Sequence, residues 1–171
     1  SVARQRELIH GYYACISYID AQLGKLMQSV KDLGLAGNTI IVLWADHGYK
    51  LGEHNSWSKQ SNFDIDTKVP LIFSGNLIQN KGKEVKAPVE LIDIYPTLVE
   101  LANLPAKKDL DGKSLAKIVA GNKISVNKPA FSQFLMGRFG AKDPQKENQK
   151  MGYTVRNERY RYTVWYEWQK D

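Results

Sequence analysis

Residues 39–48 read TIIVLWADHG, and this stretch decides which fold we expect. Its first six residues are β-branched, aliphatic or aromatic, which is typical of a strand buried on both faces. Three residues suited to chemistry or turning, Asp46, His47 and Gly48, follow this strand closely. Because ligand sites in open α/β sheets lie beyond the carboxyl ends of strands, the stretch predicts a sheet with a functional edge.

The segment before this strand predicts one long helix. Residues 4–33 carry apolar side chains at steps of three and four, with no proline among them. The glycine-containing segment 34–38 supplies a stop and a loop. A helix, a short loop and a buried strand are the rhythm of an α/β protein. Cys15, the only cysteine, lies on the apolar face of the helix, so we expect a small buried hydrophobe.

The remainder of the chain first continues the α/β portion and then changes to a β-rich end. Residues 69–73 predict a short strand, and residues 91–104 predict a helix with Pro96 in its first turn. Residues 114–119 predict a short helical piece. The polar segment 140–150 predicts a loop.

A hairpin is the last element that the sequence predicts. Residues 151–156 and 159–168 alternate bulky and polar side chains around Asn157 and Glu158. We therefore predict three parts. These are an α/β domain portion at 1–105, a connecting segment at 106–128 and a small antiparallel subdomain at 129–171.

The charge of the chain is +6, from 24 basic and 18 acidic residues. The lysines are scattered, which is typical of a solvated surface; a field that gathers anionic substrates is the alternative. The sequence lacks the aromatic and basic platform of a single-strand binder, and no apolar run approaches the ~20 residues of a membrane helix. We expect neither a nucleic acid nor a membrane partner, and the oligomeric state stays open.

The residues after the strand suit an anion-processing site. The Asp46 carboxylate suits calcium or magnesium, and the His47 imidazole widens the choice of metal. Gly48 lets the backbone turn sharply there. Lys59 can place a positive charge on a sulfate or phosphate oxygen, and His54 can donate a proton to a leaving group. A turn role for Asp46, packing for His54 and a surface position for Lys59 are the alternatives.

Taken together, these motifs resemble a known family. The run comprises NTIIVLWADHG at 38–48, LGEH at 51–54, WSK at 57–59, SNFD at 61–64 and VPLIF at 69–73. It resembles the metal-binding segment of type I sulfatases of the alkaline phosphatase superfamily, in the iduronate-2-sulfatase-like branch. Weaker matches lie at 12–24, 90–98, 111–115, 151–156 and 161–165. The resemblance implies the C-terminal part of an α/β/α sandwich plus a small antiparallel α+β subdomain.

The resemblance also implies roles for individual residues. Asp46 and His47 match the family's second pair of metal ligands, usually for calcium, although another divalent metal is possible. Lys59 matches the lysine that contacts the substrate sulfate. Tyr49 lies where this branch can place an aromatic residue near the substrate. His54 has no firm match, and we expect it behind the residues that contact substrate.

The implied activity is hydrolysis of sulfate esters, with a sulfated carbohydrate as the expected substrate. Such enzymes use a formylglycine made within a Cys/Ser-x-Pro-x-Arg motif, and none of the 171 residues forms one. We therefore expect that upstream sequence supplies the nucleophile and the first metal-binding Asp pair, and that this C-terminal fragment alone is inactive.

Two alternatives to the sulfatase stay open, and the resemblance also bears on location. One alternative is a phosphonate monoester or phosphodiester hydrolase of the same superfamily. The other is a non-catalytic binding protein built on this scaffold. Family habit implies a periplasmic or secreted protein in a bacterium, or a lysosomal one in an animal.

Overall fold

The computed structural model describes residues 1–76, 78–79, 81–121, 128–136 and 150–167. The helices are α1 (Val2–Asp32), α2 (Asp64–Thr67), α3 (Ile94–Leu101) and α4 (Ala116–Val119). The strands are β1 (Ile41–Trp44), β2 (Lys50–Leu51), β3 (Trp57–Ser58), β4 (Leu71–Ser74), β5 (Ala130–Met136), β6 (Lys150–Arg156) and β7 (Arg161–Glu167). Short 3₁₀ turns occupy Leu35–Asn38, Glu53–Asn55 and Leu91–Asp93.

Helix α1 has 31 residues and confirms the predicted long helix. The Ser1 hydroxyl accepts a hydrogen bond from the Arg4 main-chain N–H at its start, and left-handed Gly34 follows its end. No residue of α1 is buried, so the prediction that Cys15 is buried is wrong. Within the described chain α1 contacts the following 3₁₀ turn and β2, which leaves most of its apolar stripe uncovered. No helix among the described residues combines the length and apolarity needed to cross a membrane.

Strand β1 pairs with β4 in an antiparallel ladder, with Val42 opposite Phe73. The strand begins at Ile41 rather than at Thr39. The prediction that the strand is buried on both faces is wrong, because Trp44 is 50% exposed. The cause is that β4 is the only strand beside β1 in the described part of the chain. One edge of β1 therefore has no strand beside it there.

The short strands β2 and β3 form a small antiparallel pair. Lys50 lies opposite Ser58, and Leu51 lies opposite Trp57. This pairing turns the chain back on itself, so Lys59 returns to the loop that follows β1.

A buried polar cluster organises α3 and α4. Pro96 lies in the first turn of α3, as predicted. The Thr97 hydroxyl is fully buried, donates to the Asp93 main-chain oxygen and accepts from the Leu115 main-chain N–H. The buried Asp93 carboxylate accepts from the Lys113 main-chain N–H at 2.8 Å. These bonds hold the segment before α4 against α3.

Strands β5, β6 and β7 form a separate antiparallel sheet in that order. The predicted hairpin is confirmed, and its turn is closed by Asn157, whose side chain accepts from the N–H groups of Arg159 and Tyr160. The predicted loop at 140–150 lies outside the described residues, apart from Lys150, which opens β6. The predicted domain limits stay a prediction.

Candidate active site

Asp46 and His47 lie in the loop that directly follows β1. The His47 main-chain N–H donates to Asp46 Oδ1 at 3.0 Å, and Asp46 Oδ2 is 3.5 Å from His47 Nε2. His47 Nδ1 lies 2.8 Å from the Gly48 oxygen, which favours the tautomer with hydrogen on Nδ1. Nε2 then keeps its lone pair. A carboxylate oxygen and an imidazole nitrogen therefore lie side by side, and the Asp46 side chain is 84% exposed.

Lys59, the residue that directly follows β3, lies beside this pair. Its Nζ lies 2.5 Å from His47 Nε2. The neighbours Ser58 and Gln60 have φ values of 70° and 82°, in the left-handed region that non-glycine residues rarely adopt. Such backbone persists only where the surroundings hold it in place. The structure thus brings Asp46, His47 and Lys59 together, while their chemical roles stay predictions.

The aromatic and histidine candidates have packing contacts of their own. Tyr49 stacks on Tyr12 of α1, with ring centroids 5.2 Å apart and planes 28° from parallel. His54 stacks on Phe63, with centroids 3.9 Å apart and planes 7° from parallel. These contacts are what the packing alternative for His54 expects, and they anchor Tyr49 to the long helix. Their roles toward substrate stay predictions.

The donor chemistry of Asp46 and His47 fits part of a divalent cation site. Calcium takes about six to eight oxygen ligands, so two donors leave most of the coordination shell to other groups. Among the described residues, no group of three or more His, Cys, Asp or Glu side chains gathers as a metal cluster. A ligand role for His47 Nε2 also requires Lys59 Nζ to turn away, because one lone pair serves one partner.

A buried ion pair supports the loop from below. Lys50 Nζ pairs with the Asp66 carboxylate, and the Ser61 hydroxyl donates to the same oxygen. The Asp66 main-chain oxygen accepts from the Gly48 N–H at 2.8 Å. The loop that carries His47 and the segment that follows Lys59 therefore share one support.

Gly48 is required by close approach rather than only by a sharp turn. A Cβ at this position would lie 1.8 Å from the Ile65 main-chain oxygen. The backbone of α2 thus lies directly against the loop that carries Asp46 and His47, and any side chain at Gly48 would push the two apart.

The C-terminal sheet reaches the same segment. Asn62 Nδ2 donates to the Gly152 oxygen at 3.0 Å. The Arg161 guanidinium donates to the Asp64 carboxylate, to the Asn62 main-chain oxygen and to the Thr67 hydroxyl. Partial burial raises the pKa of Asp64, but the hydrogen bonds and charges of Arg161 and Arg156 outweigh it and hold the pKa below its usual value.

Sequence reasoning missed these supporting residues. Asn62 and Asp64 belong to a run that matches the family, but the run predicts no role for them, nor does any pattern predict one for Lys50, Asp66 or Arg161. The Asn62–Gly152 and Asp64–Arg161 contacts span 90 and 97 residues. No local spacing reports contacts of that range.

The comparisons with known proteins show the family to which the chain belongs. The family model described as Sulfatase matches residues 2–104, and the chain belongs to this family. The chain is 43% identical over 118 residues to a sulfatase of Formosa agariphila, an alignment that covers 69% of this chain and 23% of the relative. It is 32% identical to human iduronate 2-sulfatase, with 94% of this chain and 38% of the relative covered.

Solved structures of other proteins have the same fold as this chain. A 2-O GAG sulfatase matches with a TM-score of 0.71 at 27% identity, over 87% of this chain and 32% of that one. A phosphonate monoester hydrolase from Silicibacter pomeroyi matches with a TM-score of 0.67 at 23% identity, over 87% of this chain and 32% of that one, which shows the fold alone. The resemblance to type I sulfatases and the predicted α/β class are confirmed. The chain spans less than two fifths of these curated relatives.

Proposed function

We propose that residues 1–171 supply part of the active site of a sulfuric ester hydrolase. The observation that carries this proposal is the convergence of Asp46, His47 and Lys59 in a chain of the sulfatase family. A sulfated carbohydrate is the proposed substrate. Its support comes from the relatives, which are named for iduronate and for GAG sulfate groups.

Lys59 is the residue with the clearest chemical task. Cleavage of a sulfate ester leaves negative charge on the sulfate oxygens, and a fixed ammonium group stabilises that charge without reorganising. Asp46 and His47 would hold a calcium ion, which supplies a positive charge that polarises sulfate oxygens. Lys59 must then leave His47 Nε2 and turn its Nζ toward the sulfate.

The nucleophile is proposed to come from outside these residues. A formylglycine requires a Cys/Ser-x-Pro-x-Arg motif, and the 171 residues contain none. We therefore expect the isolated chain to release no sulfate. The complete protein would act in the periplasm or outside a bacterial cell, or in the lysosome of an animal cell.

The two remaining candidates have supporting places in this scheme. The Tyr49 ring is partly exposed beside the Asp46 loop and offers an apolar face to a sugar, while Tyr12 holds it from the other side. His54 lies against Phe63 and supports the turn that leads to Lys59.

The test is turnover of matched esters by the complete protein that contains residues 1–171. We expect sulfate esters of sugars to be hydrolysed faster than the corresponding phosphate and phosphonate esters. The opposite order would favour the phosphonate monoester or phosphodiester hydrolase. A protein that binds the sulfated sugar and turns over none of these esters would favour the non-catalytic alternative.

A further inference from the structure

We propose that Arg161 is a positioning residue for Lys59. From the C-terminal hairpin, Arg161 fixes residues 61–67, and this segment holds Lys59 in register with Asp46 and His47. The proposal rests on the proposed function, because Arg161 would act only through the placement of the Lys59 ammonium group in that site.

The guanidinium of Arg161 holds the turn at residues 62–67 by several hydrogen bonds. Arg161 Nε donates to Asp64 Oδ1 at 3.0 Å, and Nη2 donates to the same oxygen and to Thr67 Oγ1 at 2.8 Å. Nη1 donates to the Asn62 main-chain oxygen. The planar fork of arginine suits such simultaneous bonds, and lysine cannot reproduce them. The side chain is only 20% exposed, so it is committed to the protein rather than to a ligand.

Helix α2 needs support from outside its own residues. Helix α2 has four residues, and its N-cap residue Phe63 makes no side-chain capping bond. A single helical turn is unstable by itself, because nucleation fixes several residues for one hydrogen bond. The bonds from Arg161 to Asp64 and Thr67 join both ends of α2 to the C-terminal sheet.

Asp66 carries this support to the site. Asp66, inside α2, is buried and takes the Ser61 hydroxyl and the Lys50 ammonium on its carboxylate. Its main-chain oxygen accepts from Gly48, the residue beside His47. Ser61 follows Lys59 closely, and both neighbours of Lys59 have left-handed backbone. A displacement of α2 therefore disturbs both the loop that carries His47 and the segment that follows Lys59.

The expected consequence concerns turnover more than binding. Misplacement of a catalytic group by about 1 Å can cost roughly 100-fold in rate. We expect Arg161→Gln to lower kcat at least about tenfold, with a smaller change in KM. Arg161→Lys should recover part of the loss, because it keeps a charge near Asp64 without the fork.

The experiment uses the complete protein with Arg161→Gln, Arg161→Lys and Arg159→Ala. Arg159 lies on the same hairpin, exposed and over the Tyr160 ring, and is the matched control. Two quantities are measured: kcat and KM on a sulfate ester, and hydrogen–deuterium exchange of residues 57–67. We expect lower kcat and faster exchange at 57–67 for Arg161→Gln, and neither change for Arg159→Ala.

Kinetics and exchange that match the wild type in Arg161→Gln would overturn the proposal. So would a lower melting temperature with unchanged kcat per folded molecule, since that marks a purely structural role. If Arg161→Gln does not fold, Asp64→Asn removes the negative charge from the other side of the same contact with little change in shape, and the same outcomes decide. A wild type without sulfate ester turnover contradicts the proposed function, and the exchange of residues 57–67 then decides the coupling alone.

Discussion

Lys50 and Asp66, 16 residues apart in the sequence, form an ion pair whose side chains are 2% and 3% exposed. The pair joins strand β2 to helix α2, beneath the loop that carries His47. One oxygen of the pair, Asp66 Oδ1, is buried and has no hydrogen-bond partner within the described chain. The pair is therefore a point at which a small chemical change has a large energetic effect.

Removing only Lys50 leaves a carboxylate buried without its cation. We expect Lys50→Ala to lower the free energy of unfolding by about 3–5 kcal/mol. The control is Arg4→Ala, which breaks an exposed ion pair with Glu7 and should cost at most about 1 kcal/mol. Denaturant unfolding of the complete protein measures both, and equal losses would contradict the assignment of a buried pair.

Gly48 is needed because there is no room for a side chain beside α2, and a substitution can test this. We expect Gly48→Ala to lower both stability and sulfate ester turnover, because its Cβ would collide with the Ile65 oxygen. Gly11, which lies inside α1, is the control, because a Cβ there would meet no atom within 4 Å. Gly11→Ala should stabilise the helix by about 1 kcal/mol. A melting temperature of Gly48→Ala that stays unchanged or rises, as that of Gly11→Ala is expected to do, would show that α2 does not press on the loop.

Lys59 is expected to act through charge in the transition state. Lys59→Ala should cost about 2–4 kcal/mol of transition-state stabilisation, by analogy with the loss of one donor from a preorganised site. Lys68→Ala, which removes an exposed lysine of the same region, should leave kcat/KM near the wild-type value. An unchanged kcat/KM in Lys59→Ala would remove this residue from the site.

Asp64 gives the contact with Arg161 a pH signature. Its pKa lies below the usual 3.8, so the carboxylate stabilises the folded state above that value, and the contribution is lost as pH falls through the lower, folded-state pKa. We expect Asp64→Asn to be less stable than the wild type at neutral pH, with a difference that shrinks below about pH 4. Urea midpoints between about pH 7 and pH 2.5 span this range and measure the difference. A gap that widens with acid would contradict the shift.

Local pattern predicted what local forces determine. The three- and four-residue spacing located α1, the alternation around Asn157 located the hairpin, and Pro96 located the start of α3. Burial was predicted less well, because it depends on what packs against an element. Cys15 and Trp44 have the sequence signature of core residues and are exposed in the described chain.

The site divides in the same way. The motif placed Asp46, His47 and Lys59 near one another, since a short pair of strands closes the turn between them. The supporting residues could not be predicted from the sequence, because Arg161 and Asp66 contact residues that are distant along the chain. Only the packed backbone reveals that a residue of the C-terminal hairpin and the loop after β1 share one turn of helix.

The left-handed backbone at Ser58 and Gln60, on both sides of Lys59, implies a trade-off between the stability of the fold and the proposed activity. Glycine at Ser58 or Gln60 would adopt these angles without the cost of about 1–3 kcal/mol that a strained residue carries. The same glycine would loosen the backbone that holds Lys59 beside His47. Selection of this protein for heat resistance alone, by evolution or design, would therefore favour substitutions at these two positions that lower the proposed activity.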